Sequence, residues 1–246
     1  MPGRCLLTIA TLYSLTPVFD FSMLLSGSYH DMLVAGLIIS LQLLVVTLVF
    51  AVPLAVGVAL LRLSHWAVLR GLGAIFVEAI RNVPLLAHML FWYFSMPELL
   101  PDPVKAWLYA RNFEAVAAVV ALTLYTAAYM AEDVRSGIRA VPPVQFEAAR
   151  ALGLSYLAAM QWVILPQALR IIVPPLISQS LNLWKNTSIA TVIGTAELMY
   201  QTAKVETATF RSVEAFLFAT VCYLAVSLAI TGLATWFHHR YPVRAL

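Results

Sequence analysis

PVQFEAARALGLSYLAAMQWVILP, residues 143–166, is a polar interruption between two long apolar runs. It carries Glu147 and Arg150, and its first half has helical spacing. Phe146, Ala149 and Gly153 fall on one side at i, i+3 and i+7, and Glu147 and Arg150 are neighbours at i, i+3. Gly153 lets the chain stop or bend in a left-handed conformation without a Cβ penalty. Pro166 stands where a following span begins, the position at which a missing N–H costs least. A short charged helix held between two membrane anchors reads as a docking element.

The rest of the composition agrees with anchors on either side. Of 246 residues, 62% are hydrophobic and 11% charged. A soluble domain would carry roughly a quarter charged residues. The net charge of +3 is small for this length, which excludes a nucleic-acid-binding surface as the organising feature. Cys5 and Cys222 lie at opposite ends of the chain, and the five histidines make no metal-ligand spacing. No GxxxxGK[ST] run exists to hold ATP phosphates, and no GxSxG elbow is present, so any energy must come from another polypeptide.

The apolar runs predict an all-α integral membrane protein with five spans, over about 32–61, 83–97, 115–131, 171–184 and 215–237. They form one transmembrane domain, 32–240, with an outer-face N-terminal segment, 1–31, and a cytoplasmic tail, 241–246. Arg4 and the apolar Cys5–Val18 imitate a signal peptide without a convincing cleavage site, so this start is expected to be retained or over-extended. Met32–Leu61 has no charged residue and would reach about 45 Å as a helix, with Pro53 or tilt absorbing the excess. Glu78 and Arg81 form an i, i+3 pair expected to neutralise itself, and Glu132 is placed to meet Arg135 or Arg139. The segments 98–111 and 197–214 read as polar outer loops. Under one orientation Arg62, Arg70, Arg135, Arg139, Arg150, Arg170, Arg240 and Arg244 share the cytoplasmic side with the 143–166 loop, leaving fewer basic residues outside. That orientation puts the N-terminus outside and the C-terminus inside.

The loop also resembles a known pattern. Glu147-Ala148-Ala149, three residues, Gly153, nine residues, then Val163-Ile164-Leu165-Pro166 is similar to the EAA–x3–G–x9–I–x–L–P loop of ABC-importer permeases, with Val163 at the Ile position. The resemblance, which runs from about Phe19 to Arg240, implies the permease core of a type I importer in a bacterial inner membrane. The chain would couple to a cytoplasmic ABC ATPase dimer that binds the ATP, pair with a second permease subunit, and receive substrate from an extracytoplasmic binding protein. Phe146, Glu147, Ala148, Ala149 and Gly153 would form the coupling helix, with Phe146 filling an apolar hole in the ATPase. No cofactor belongs to this chain.

The fourth span is rich in polar groups that need partners or a wet cavity. Its segment LNLWKNTSIATVIG resembles the LxxxKNTS stretch of polar-amino-acid permeases. Ser178, Gln179, Asn182, Lys185, Asn186, Thr187 and Ser188 are therefore the candidate substrate path, with helix–helix packing the competing role. FWYFSMPELLP (91–101) and LNLWKNTSIATVIGTAELMYQTA (181–203) look closest to permeases for glutamate and aspartate, with glutamine or a basic amino acid as alternatives. Readings from other classes are an intramembrane enzyme using Glu132 or a histidine, and a scaffold without substrate. The enzyme requires convergent catalytic groups at one depth, and the sequence shows none.

Overall fold

A computed structural model describes residues 22–242, so the expectations for the first 21 residues and for most of the tail lie outside the described residues. The described residues are helical, with no strand among them. After a single turn at Ser22–Leu25, helix α1 runs Ser28–Leu63. Helices α2 (Ala67–Arg81) and α3 (Leu85–Leu90) meet at a bend of 100°, and α3 continues through a π turn to Leu99. Then come α4 (Asp102–Tyr109), α5 (Phe113–Arg139) and α6 (Pro143–Ala151). Tyr156–Ala159 and a π turn at Met160–Ile164 lead into α7 (Leu165–Asn186), followed by a 3-10 segment to Ile193, α8 (Leu198–Thr209) and α9 (Ser212–Arg240). Four helical stretches, Ser28–Leu63, Phe113–Arg139, Tyr156–Ile193 and Ser212–Arg240, are long and apolar enough to cross a membrane, and the bent α2–α3 pair makes a fifth crossing if counted as one.

The centre of the fold is the contact of α1 with α5, because both present small residues there. Ala51, Ala55, Val58 and Ala59 of α1 are buried together with Ala127, Met130, Ala131 and Val134 of α5. In a bilayer, where apolar side chains gain little by leaving lipid, close backbone approach of this kind is what holds helices together. α7 packs on the same α5, closely enough that a Cβ on Gly137 would collide with the Ile172 side chain. By contrast, α9 turns most of its length outward, exposing Val221, Leu224, Leu228, Leu233 and Trp236.

Four expectations are revised. The second crossing does not begin at residue 83: α2 already runs from Ala67, and the chain turns sharply at Asn82–Pro84 because Pro84 has an extended ψ of 141° and cannot continue a helix. Glu78 and Arg81 do not pair. Glu78 accepts a hydrogen bond from Asn82 Nδ2 at 3.1 Å, and the Arg81 guanidinium lies over the Tyr129 ring, 4.9 Å from its centroid. The two outer segments are not simply loops, since they contain α4 and α8. The fourth span is also longer than 171–184, because Pro166 sits in the first turn of α7 and Pro174–Pro175 lie within an unbroken helix.

Near the C-terminal ends of α1 and α5 Glu132 is held from two sides. Arg135 Nη2 donates to it at 2.7 Å, as expected one turn on, and Arg62 of α1 also forms an ion pair with it.

Candidate functional site: a polar cleft and an exposed loop

An open-sided cleft of about 530 Å³ lies between α5 and α7. Its α7 wall is one helical face, Gln179, Asn182, Leu183 and Asn186, with Lys185 at the rim. The α5 wall is Tyr125, Thr126 and Tyr129. The two phenols are linked, Tyr125 OH donating to Tyr129 OH at 3.3 Å, and Asn182 Nδ2 donates to Gln179 Oε1 at 3.4 Å. The site therefore offers amide, phenol and ammonium groups on a surface otherwise made of apolar helices.

Of the seven candidate path residues, Gln179, Asn182, Lys185 and Asn186 line this cleft. The other three do not. Ser178 donates back to Pro174 O at 3.2 Å, Ser188 to Lys185 O at 2.7 Å, and the buried Thr187 to Trp184 O at 2.8 Å. Hydroxyls of this kind satisfy themselves within their own turn and need no cavity. The α5 wall was missed from the sequence. Its signal was present in Tyr125, Thr126 and Tyr129, polar groups one turn apart on one face of an apolar run.

Glu197 is a second omission. It lies in the connection between two crossings, fully buried, and caps α8 by accepting from Met199 N at 3.0 Å and Tyr200 N at 2.8 Å. It also accepts from Tyr223 OH of α9 at 3.0 Å and from Ser40 Oγ of α1 at 3.2 Å. One carboxylate thus ties α1, α8 and α9 at a single point. Burial pushes its carboxyl above the usual range, and these four donors pull it back.

At the other end of α7 the 143–166 loop is built as an outward knuckle. α6 ends in a Schellman motif: Leu154 N donates to Ala149 O at 3.2 Å and Gly153 N to Arg150 O at 3.0 Å, with Gly153 at φ 86°. Arg150 Nη1 closes the turn by donating to Leu154 O at 2.6 Å, so it is not Glu147 that it serves. Glu147 and Ala148 are exposed, while Ala149 is buried against the body of the protein. Phe146 packs on its own chain, against the Val141–Ile164–Ala168 cluster and edge-on to Tyr156 at 5.5 Å. The apolar groups left outward include Val144, Leu152 (84% exposed), Tyr156, Leu157 (76%) and Trp162 (71%).

Residues 51–242 match the protein family described as the binding-protein-dependent transport system inner membrane component. The chain belongs to this family. It is 39% identical over 215 residues to the probable glutamine ABC transporter permease protein GlnM of Bacillus subtilis (strain 168), spanning 87% of this chain and 91% of that one. It is 38% identical over 166 residues to the glutamate/aspartate import permease protein GltJ of Escherichia coli (strain K12), spanning 66% and 68% of the two chains. Among solved structures, an amino acid ABC transporter crystallised with histidines superposes with a TM-score of 0.79 at 30% identity, covering 90% of this chain and 99% of that chain. The inward-facing methionine transporter MetNI shares the fold, with a TM-score of 0.64 at 17% identity.

Membership places the cleft and the knuckle in an inner-membrane component of a transport system. One helical stretch, Tyr156–Ile193, joins the two features.

Proposed function

We propose that this chain is the permease subunit of an ATP-driven amino-acid importer, that the α5–α7 cleft is part of its translocation path, and that the Glu147 knuckle couples it to a separate ATPase. The observation that carries this reading is the continuity of one element. From Tyr156 the backbone remains helical through the π turn and α7 to Ile193, so the segment that leaves the knuckle is the segment that lines the cleft. At 1.5 Å per residue its 38 residues reach about 55 Å, more than the thickness of the hydrocarbon core. A push on one end is delivered to the other without a flexible joint.

The partners follow from that arrangement. A cytoplasmic ATPase dimer binds ATP and docks on the knuckle; Leu152 and Leu157, rather than Phe146, supply the apolar contact, and Glu147 orients it. A second permease subunit, identical or closely related, covers the open side of the cleft and part of the apolar α9 face. An extracytoplasmic binding protein delivers the substrate. The N-terminus lies outside and the C-terminus inside. ATP-driven closure of the ATPase dimer brings the knuckles together and turns the cleft outward.

The substrate is a polar amino acid. Glutamate or aspartate is the reading drawn from residues 91–101 and 181–203, and the 39% identical glutamine permease relative supports glutamine as the alternative. Uptake of labelled glutamate into proteoliposomes holding the complete transporter, competed by an excess of each unlabelled amino acid, decides between them. Strong competition by glutamate and aspartate alone is expected for the acidic reading. Competition by glutamine at equal potency contradicts it, and no uptake of any amino acid contradicts the importer.

A further inference from the structure

Two opposite charges stand beside the cleft without an ion pair at contact distance, although the Arg81 charge reaches Asp133 and Gln179 bonds to that carboxylate. Arg81, the last residue of α2, holds its guanidinium over Tyr129, a wall residue. Asp133 lies one turn beyond Tyr129 on α5, beside Gln179 of the opposite wall, and its Oδ2 is buried without a hydrogen-bond partner. Among the described residues neither forms an ion pair, with each other or with any other group, although the adjacent Glu132 is held by two arginines. Opposite charges left apart within a membrane domain cost free energy unless a ligand or a wet cavity receives them.

We propose that Arg81 and Asp133 clamp the head group of an α-amino-acid zwitterion, Arg81 taking the carboxylate and Asp133 the ammonium. The inference rests on the importer reading and specifies how that site holds its cargo. A guanidinium offers a planar fork that matches a carboxylate, and it stays charged in a site of low polarity. The orphaned Oδ2 accepts one of the three ammonium donors, and the phenols of Tyr125 and Tyr129 stand beside the remaining lone pairs and protons. Because Asp133 and Gln179 lie at one end of the wall and Asn186 at the other, the side chain of the cargo extends along Asn182 towards Lys185. Recognition is therefore divided: the head group is common to all amino acids, and the side chain is read at the rim. A compound lacking either charge leaves one clamp residue unpaired and is rejected.

The test uses the complete transporter in proteoliposomes with labelled L-glutamate and L-glutamine as probes, scoring assembly, ATP hydrolysis and uptake together. R81Q and D133N are expected to assemble, to hydrolyse ATP within about twofold of wild type, and to lose uptake of every transported probe by roughly ten- to a hundredfold, the loss of one charge-assisted contact. R81K and D133E, which keep the charges, are expected to fall between. Combining R81Q with D133N is expected to lower uptake further. Uptake by either neutral single variant within twofold of wild type overturns the clamp, as does restored uptake in the double variant, which identifies the pair as an internal latch. Failure of the wild type to move any amino acid overturns the importer reading itself.

Discussion

Gly153→Asp is expected to abolish coupled uptake while leaving the protein in the membrane at normal abundance. The two halves of that result have separate causes. Gly153 adopts φ 86°, so any side chain there bears left-handed strain of about 1 kcal/mol, and Asp is among the residues that tolerate it best. A Cβ at this position meets nothing within 4 Å. The fold therefore loses little. The added carboxylate instead enters open space on the exposed loop where the ATPase is proposed to sit. Burying an unpaired charge in such an interface costs about 2–5 kcal/mol, enough for a loss of more than tenfold in productive docking. Uptake and ATP hydrolysis measured on the same proteoliposomes, with abundance read by immunoblot, check the prediction. Normal uptake at normal abundance contradicts the coupling role.

Glu197→Ala should act in the opposite way, through stability rather than coupling. The substitution deprives the Ser40 and Tyr223 hydroxyls and the Met199 and Tyr200 amides of their acceptor in a fully buried position. Loss of a helix cap costs about 1 kcal/mol and each orphaned buried donor about 1–3 kcal/mol, so a total near 3–5 kcal/mol is expected after relaxation. Glu197→Gln keeps one acceptor oxygen and should retain most of the stability. The pH dependence has a definite sign. The folded protein holds the Glu197 proton more tightly than the unfolded chain, so this group's contribution is greatest at acid pH and declines as pH rises through the unfolded carboxylate range towards the raised folded value. Thermal unfolding of the purified protein from pH 4 to pH 8 should show that component in wild type and not in Glu197→Gln. An unchanged melting temperature for Glu197→Ala would show that the buried node holds nothing together.

Legibility in the sequence followed how much of an element's fate its own residues decide. α1, α5 and α9 are read easily, since an uncharged run of this length has no other stable home than a bilayer. The knuckle was readable because a left-handed glycine, a following proline and a charged helical stretch act locally. The bend at Pro84 announced itself only after α2 was recognised, and α2 was hidden by Arg70, Glu78 and Arg81. α8 was read as loop because it is polar, although Leu198, Thr202 and Val205 form its buried stripe. The fourth span, expected over 171–184, runs Leu165–Asn186, and a membrane helix with packed neighbours tolerates Pro174 and Pro175 within it. The site was half legible: α7 showed its polar face, while the α5 wall, Arg81, Asp133 and Glu197 gain their meaning from contacts made across the fold, and no spacing along the chain reports those.

The central claim is that the Glu147 knuckle lies inside the cell against an ATPase. The measurement that tests it most directly is site-specific cross-linking from Glu147→Cys in the assembled transporter, combined with thiol labelling of intact cells by an impermeant maleimide. The account predicts a cross-link to the ATPase subunit that changes in yield when ATP is bound, and no labelling from outside. Labelling of residue 147 from the outer face, or the absence of any cross-link to a partner subunit in an active complex, would contradict it.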